Sequence, residues 1–185
     1  TYTQINESYW RLFEQGRISQ SELAVRRFAD LYSTLHFEGD AYKANLCYRR
    51  CLAEGNQMMP EALSVCQTLS ESYTLCLVSN GIAQVQNKRL SGSPITQYLS
   101  SVFVSESVGS QKPQKEYFDY VLAQLNIVSS QAFIIGDSLS SDIRGAKNAS
   151  IDSCWFNPKG NSNPFDDLTP TYEISRLSEL YSILL

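Results

Sequence analysis

The sequence has few of the features that mark several common classes of protein. It contains a single histidine, and no apolar run approaches the ~20 residues that a membrane-spanning helix needs. Its net charge is −4 without a basic stripe, which argues against nucleic acid as a partner. Its five cysteines are an odd number within apolar or helical patterns, so we interpret them as reduced core residues. We therefore expect a cytoplasmic protein with neither nucleic-acid nor membrane partners.

The composition is sufficient for a substantial core, since 43% of the 185 residues are hydrophobic and 11% are aromatic. Residues 1 to about 56 show helical apolar spacing throughout, interrupted at Gly16. Ser19 and Glu22 have the spacing of a capping box that opens a second helix, and Asp40 opens a third. We expect a small helical domain over residues 1–57.

From residue 58 onward the pattern alternates between short apolar runs and helical segments. The runs are rich in β-branched and aromatic residues and lie at 74–78, 102–104, 132–135, 154–156 and 172–174. Strands that alternate with helices favour a parallel sheet with right-handed crossovers. The fold class predicted for residues 58–185 is therefore α/β, with a Rossmann-like doubly wound parallel sheet.

One stretch places two carboxylates beside a predicted strand. The apolar run 133–135 leads into Gly136-Asp137, and Asp142 falls in the first turn of the next helix. We predict that this strand is buried on both faces, as in sheets covered by helices on both sides. Open α/β sheets bind ligands at the carboxyl ends of their strands, and two carboxylates suit Mg²⁺. Alternatively, Asp137 is a turn residue and Asp142 a first-turn charge favoured by the helix dipole.

A second strand end carries a hydroxyl and small residues. Ser79, Asn80 and Gly81 follow the run 74–78 directly, where a strand passes into a helix. Backbone N–H groups at a helix N-terminus suit a phosphate, and the Ser79 hydroxyl adds a donor. The alternative is an ordinary helix N-cap.

A third strand end carries a lysine. Lys112 precedes Pro113 after the run 102–104, just before a predicted helix. The helix dipole disfavours a cation at that end, so the position makes sense if Lys112 faces an anion. The alternative is an exposed lysine at an accidental position. Because carboxyl ends of parallel strands meet at one edge, we expect the three strand ends to converge there.

The order of these segments resembles motifs II, III and IV of the haloacid-dehalogenase-like (HAD) hydrolases, over essentially all of residues 59–185. The helical segment before them resembles the α-helical cap of subfamily I. Gly-x-Ile-Ser at 16–19 and Cys-Trp-Phe-Asn at 154–157 are most similar to the branch of cytosolic 5′-nucleotidases acting on pyrimidine and non-canonical nucleotides.

The resemblance implies a Mg²⁺-dependent phosphatase acting on a small phosphorylated metabolite, a nucleotide 5′-phosphate in this branch. Its reaction proceeds through an aspartyl-phosphate that water hydrolyses. Lys112 would neutralise the phosphate, Asp137 would ligate Mg²⁺, and Asp142 would bind it through water or orient Lys112. The phosphate-binding residues so implied are Ser79, Asn80, Gly81 and Lys112.

The sequence departs from the family at motif I, the Asp-x-Asp that supplies the nucleophile. None of its remaining aspartates follows an apolar strand in that pattern. We expect the first core strand and the nucleophile to lie upstream of Thr1, so that this chain alone is inactive. Without that strand, either another segment fills its place or the strands 74–78 and 132–135 close up and pair.

Three other functions remain open at this stage. A 2-haloacid dehalogenase shares the fold and a Ser-Asn motif but needs no metal, so Asp137 and Asp142 favour the phosphatase. A sugar-phosphate phosphomutase is distinguished by its cap. A non-catalytic phosphate-binding module would keep the phosphate site without the nucleophile.

Overall fold

The first 55 residues form three helices in a computed structural model that describes residues 1–185. They are α1 (Tyr2–Glu14), α2 (Gln20–Thr34) and α3 (Ala41–Glu54). The predicted capping box is confirmed: the Glu22 N–H donates to the Ser19 hydroxyl at 3.2 Å, and the Ser19 N–H donates to the Glu22 carboxylate at 2.9 Å. Tyr9 and Phe13 of α1 pack with Leu23 of α2 in a buried cluster. Contacts within the chain separate this unit, Thr1–Gly55, from a second unit, Asn56–Leu185.

The second unit alternates helices and strands, as the sequence pattern predicts. Its elements are α4 (Ala62–Leu69), β1 (Leu75–Ser79), α5 (Ala83–Ser91), β2 (Leu99–Val104), α6 (Ser105–Val108), α7 (Lys115–Leu125), β3 (Phe133–Gly136), α8 (Arg144–Asn148), β4 (Asp152–Phe156), β5 (Tyr172–Ile174) and α9 (Leu180–Leu184). Short 3₁₀ turns span Pro94–Tyr98, Ser129–Gln131 and Leu177–Glu179, and a π-helical turn spans Leu139–Ile143.

Every strand pair is parallel, but the strands form two sheets rather than the single sheet that we predicted. One sheet pairs β1 with β2, and the other has the order β3-β4-β5. No ladder joins β1 to β3, so the alternative in which these two strands close up and pair is wrong. β1 and β3 therefore each have one edge without a strand partner.

The two sheets nevertheless share both of their apolar cores. On one side, Val78 of β1 and Ile134 of β3 pack against a cluster that includes Tyr117, Phe118, Val121, Ala146, Ala149 and Ile151. On the other side, Leu75 and Phe133 pack against Val65, Leu69, Cys154, Ile174 and Leu180. Helices on both sides thus hold β1 and β3 in place without hydrogen bonds between them.

Two predictions about burial need correction. The side chain of Ile135 is 39% exposed, so β3 is not buried on both faces. Ile135 lines the cavity beside the unpaired edge of β3, and no strand of the structure pairs with that edge. Cys47 and Cys51 are exposed rather than core residues, whereas Cys154 is buried, and all five cysteines are free thiols.

Candidate active site

Polar residues from the ends of three strands meet at one edge of the second unit, as the sequence predicts. The Asn80 side chain, after β1, donates to the Lys112 carbonyl at 2.8 Å. The Lys112 N–H donates back to the Asn80 side-chain oxygen at 2.8 Å. This reciprocal pair fixes the loop after β2 to the loop after β1, and both residues are buried. Asn80 therefore has a side-chain role that sequence reasoning missed.

The Lys112 side chain links this loop to the carboxylates that follow β3. Its Nζ donates to Asp142 Oδ1 at 2.6 Å and to the Val78 carbonyl at 3.1 Å. The lysine side chain is 8% exposed and the aspartate side chain 10%, so the ion pair is largely removed from water. An ammonium group carries three hydrogens, and these contacts use two of them. The third can be donated to an anion at this edge.

Asp142 is held by protein donors on both of its oxygens. Oδ1 accepts from Lys112, and Oδ2 accepts from the Ser138 N–H at 3.1 Å. The carboxylate lies over Gly136, where an added Cβ would clash with the Asp142 side chain. Glycine at 136 thus leaves the room that Asp142 needs to reach Lys112. Of the two roles considered for Asp142, this geometry favours orienting Lys112.

Asp137 is the carboxylate at this edge that is open to a cation. Its side chain makes no hydrogen bond to the protein, while its backbone carbonyl accepts from Trp155 Nε1 at 3.1 Å. No group of three or more His, Cys, Asp or Glu side chains is arranged to hold a metal ion. The described residues therefore offer Mg²⁺ one open carboxylate, and further oxygen ligands have to come from water, substrate or another segment.

Ser79 is fixed by three hydrogen bonds at the end of β1. Its hydroxyl oxygen accepts from the Gly81 N–H at 3.0 Å and from Gln86 Nε2 at 2.7 Å. Its N–H donates to the Tyr117 hydroxyl at 3.1 Å, which in turn donates to the Phe103 carbonyl at 2.7 Å. Burial raises the pKa of the Tyr117 hydroxyl, so that it stays protonated and can donate.

Gln86 and Tyr117 are site residues that the sequence analysis missed. Each lies on a helix, and neither stands in a motif. Tyr117 sits two residues into α7, and Gln86 lies in the first turn of α5. A polar residue in the helix that follows a strand is weak evidence for a site, because the packing of the helix decides where its side chain points.

A cavity of about 690 Å³ opens at the unpaired edges. Leu77 of β1 and Ile135 of β3 both line it, together with Gln86, Asp137 and Trp155. Its inner wall thus combines apolar strand residues with the open carboxylate. Of the site residues, Gln86 and Asp137 therefore border the same space as the unpaired strand edges.

The parallel strands and the polar residues at their ends define an α/β protein with a charged site at the carboxyl edge. A family profile described as haloacid dehalogenase-like hydrolase matches residues 10–156. The chain belongs to this family of hydrolases.

Several curated proteins are similar over almost the whole chain. It is 40% identical to the HAD-hydrolase YfnB of Bacillus subtilis over 184 residues, which covers 99% of this chain and 78% of the relative. Identity is 34% to the pyrimidine 5′-nucleotidase PynA of Streptococcus pneumoniae and 30% to the pyrimidine 5′-nucleotidase YjjG of Escherichia coli. Those alignments cover 99% of this chain and 78% and 80% of the relatives.

A crystal structure of YfnB bound to magnesium matches the fold with a TM-score of 0.93. The match covers 99% of this chain and 80% of that one, at 40% identity. The comparison confirms the α/β class, with helices at the N-terminus and parallel strands after them.

Proposed function

We propose that this chain is the greater part of a Mg²⁺-dependent phosphomonoester hydrolase that acts on nucleotide 5′-phosphates. The observation that carries the proposal is the network joining Asn80, Lys112 and Asp142 across three strand ends. It holds one cation at the edge where Ser79 presents a hydroxyl. Two relatives that are named pyrimidine 5′-nucleotidases support the substrate class.

Each site residue has a chemical task in this proposal. The Ser79 hydroxyl and the backbone N–H of Asn80 bind the phosphoryl oxygens, and the third hydrogen of Lys112 offsets their charge. The Gly81 N–H contributes through Ser79, because it donates to the Ser79 hydroxyl oxygen at 3.0 Å. Asp142 orients Lys112 through its 2.6 Å ion pair.

Mg²⁺ fits this edge in part. Asp137 would hold it, because that carboxylate has no protein partner and lies in the cavity. When bound, the ion supplies positive charge to the phosphoryl group. The chain's own contribution is to fix Asp137 through Trp155 and to keep the Asp142 carboxylate on Lys112.

The nucleophile is proposed to lie on a segment outside residues 1–185. The unpaired edges of β1 and β3 and the apolar cavity between them support a place for one more strand. In this proposal an apolar strand ending in Asp-x-Asp occupies that place and forms the aspartyl-phosphate. The 1–185 chain alone is then inactive.

The test is Mg²⁺-dependent phosphate release from a panel of nucleoside monophosphates and sugar phosphates. The protein from the full reading frame is assayed beside the 1–185 chain, with EDTA-treated samples as controls. We expect turnover by the full-length protein on pyrimidine nucleotides and none by the 1–185 chain.

Each other outcome contradicts a specific part of the proposal. Turnover by the 1–185 chain would refute the external nucleophile. Release of halide from 2-haloacids without Mg²⁺ would identify a dehalogenase instead. A full-length protein that releases neither phosphate nor halide would refute the phosphatase proposal and favour the phosphate-binding module.

A further inference from the structure

The Ser79 hydroxyl has no acceptor capacity left. A serine hydroxyl has one hydrogen to donate and two lone pairs to accept with. The Gly81 N–H and Gln86 Nε2 occupy both lone pairs, at 3.0 and 2.7 Å. The hydroxyl hydrogen is thus the single group with which Ser79 can contact a ligand.

Gly81 leaves the space for this arrangement. A Cβ at position 81 would come within 2.8 Å of Gln86 Nε2 and 3.0 Å of Ser79 Oγ. Both distances are shorter than or at the limit of contacts that a side chain tolerates, so any larger residue would push Gln86 away from Ser79. The need for glycine here comes from close packing rather than from a turn.

The helix that carries Gln86 is itself anchored beside the site. The Ala83 N–H, in the first turn of α5, donates to the Glu106 carboxylate at 2.8 Å. Val85, the neighbour of Gln86, is buried. Gln86 therefore projects from a fixed helix start rather than from a mobile loop.

We propose that Gln86 is a positioning residue that fixes the Ser79 hydroxyl as a hydrogen-bond donor to the phosphoryl group. This inference rests on the proposed function and extends it to a residue outside the family motifs. With Gln86 in place, Ser79 favours ligands that present only acceptors, such as the oxygens of a phosphate dianion. Without Gln86, one lone pair becomes free and the hydroxyl hydrogen can rotate away.

The experiment measures the affinity of the 1–185 chain for inorganic phosphate by NMR titration of ¹⁵N-labelled protein. The Gly81 amide signal reports binding at Ser79. We expect Gln86→Met to weaken binding about 3- to 10-fold, the effect of one lost hydrogen bond. Gln86→Glu, which has the same shape, should weaken it further, because a carboxylate accepts the Ser79 proton and repels the anion.

Two further variants separate positioning from a general loss of structure. Gln84→Met changes an exposed glutamine on the same helix and should leave phosphate affinity unchanged. Ser79→Ala should weaken binding, and adding Gln86→Met to it should cause no further loss, since Gln86 acts through Ser79.

The outcomes distinguish this inference from the proposed function. Equal affinity in Gln86→Met and Gln84→Met would overturn it, as would a wild-type chain that binds no phosphate. Equal additional loss in the Ser79→Ala background would assign Gln86 a role independent of Ser79 and overturn it as well. Phosphate binding that depends on Gln86, in a full-length protein without phosphatase turnover, would refute the phosphatase and support the positioning role.

Discussion

Lys112 and Asp142 form a largely buried ion pair at the edge of the second unit. Removing one member of such a pair leaves the other charge buried without compensation, which costs about 3–5 kcal/mol in comparable cases. Here Asp142 would retain only the Ser138 N–H as a donor. The pair therefore stabilises the site as well as orienting the lysine.

We expect Lys112→Met to lower the free energy of unfolding by about 3 kcal/mol, because Asp142 loses its cation in a buried position. Adding Asp142→Leu should restore part of that loss, since the uncompensated charge is then removed. Chemical denaturation at neutral pH measures both variants. Lys115→Met is the control: its ion pair with Asp119 is exposed and contributes at most about 1 kcal/mol. Equal losses in Lys112→Met and Lys115→Met would contradict the expectation.

Site residues that follow a strand could be predicted from the sequence, whereas a residue whose contact depends on close packing could not. Ser79, Lys112 and Asp142 each follow an apolar run, and parallel strands bring such positions together whatever the packing details. Gln86 could not be found in this way, because its contact with Ser79 depends on the close approach that Gly81 allows.

At the scale of single elements, the N-terminal cap of α2 contains an ionisable group, the Glu22 carboxylate. The Ser19 N–H donates to the Glu22 carboxylate, and this hydrogen bond lowers the pKa of Glu22. A carboxyl group whose pKa is lower in the folded state stabilises the fold above its unfolded pKa, about 4.3 for glutamate. That contribution is lost as the pH falls through the folded pKa.

Glu22→Gln should therefore lower the melting temperature at about pH 7. The difference in melting temperature between the variant and the wild type should be smaller at about pH 3. Thermal unfolding followed by circular dichroism at both pH values tests this. Glu7→Gln, on the exposed face of α1, is the control, because it makes the same substitution away from a helix cap. A difference in melting temperature that stays constant with pH would show that the Glu22 charge does not contribute to stability.

Helix positions were predicted well where local signals were strong. The helix predicted to follow Pro113 is confirmed as α7, which begins at Lys115. The helix predicted to hold Asp142 in its first turn begins as a π-helical turn at Leu139 and continues as α8. The Ser138 hydroxyl accepts from the Ser141 N–H and thereby caps the π-helical turn at its N-terminus. This cap exists only once the turn has formed.

At the scale of the whole second unit, strand pairing is uneven. β4 pairs with a strand on each side, whereas β1 and β3 each pair on one side. The division into two sheets falls between β1 and β3, beside the place that the family resemblance gives to the missing strand. Local patterns alone could not show it, since apolar runs show that strands form but not which strands adjoin. Ile135 looked like a fully buried residue for the same reason.

This pairing predicts a gradient of amide protection. Backbone amides of β4 should exchange slowest, and about half of those in β1 and β3 should exchange faster, because their N–H groups point toward the cavity without a strand partner. Hydrogen exchange followed by NMR on the 1–185 chain measures this. Similar protection in all three strands would mean that the two edges are covered in solution.

The two apolar clusters shared by β1 and β3 have a consequence for how the second unit unfolds. Neither sheet can detach without exposing side chains that also cover the other, since Val78 and Ile134 pack on one cluster and Leu75 and Phe133 on the other. The two sheets share no backbone hydrogen-bond ladder and yet should unfold together. Side-chain packing alone makes their unfolding cooperative.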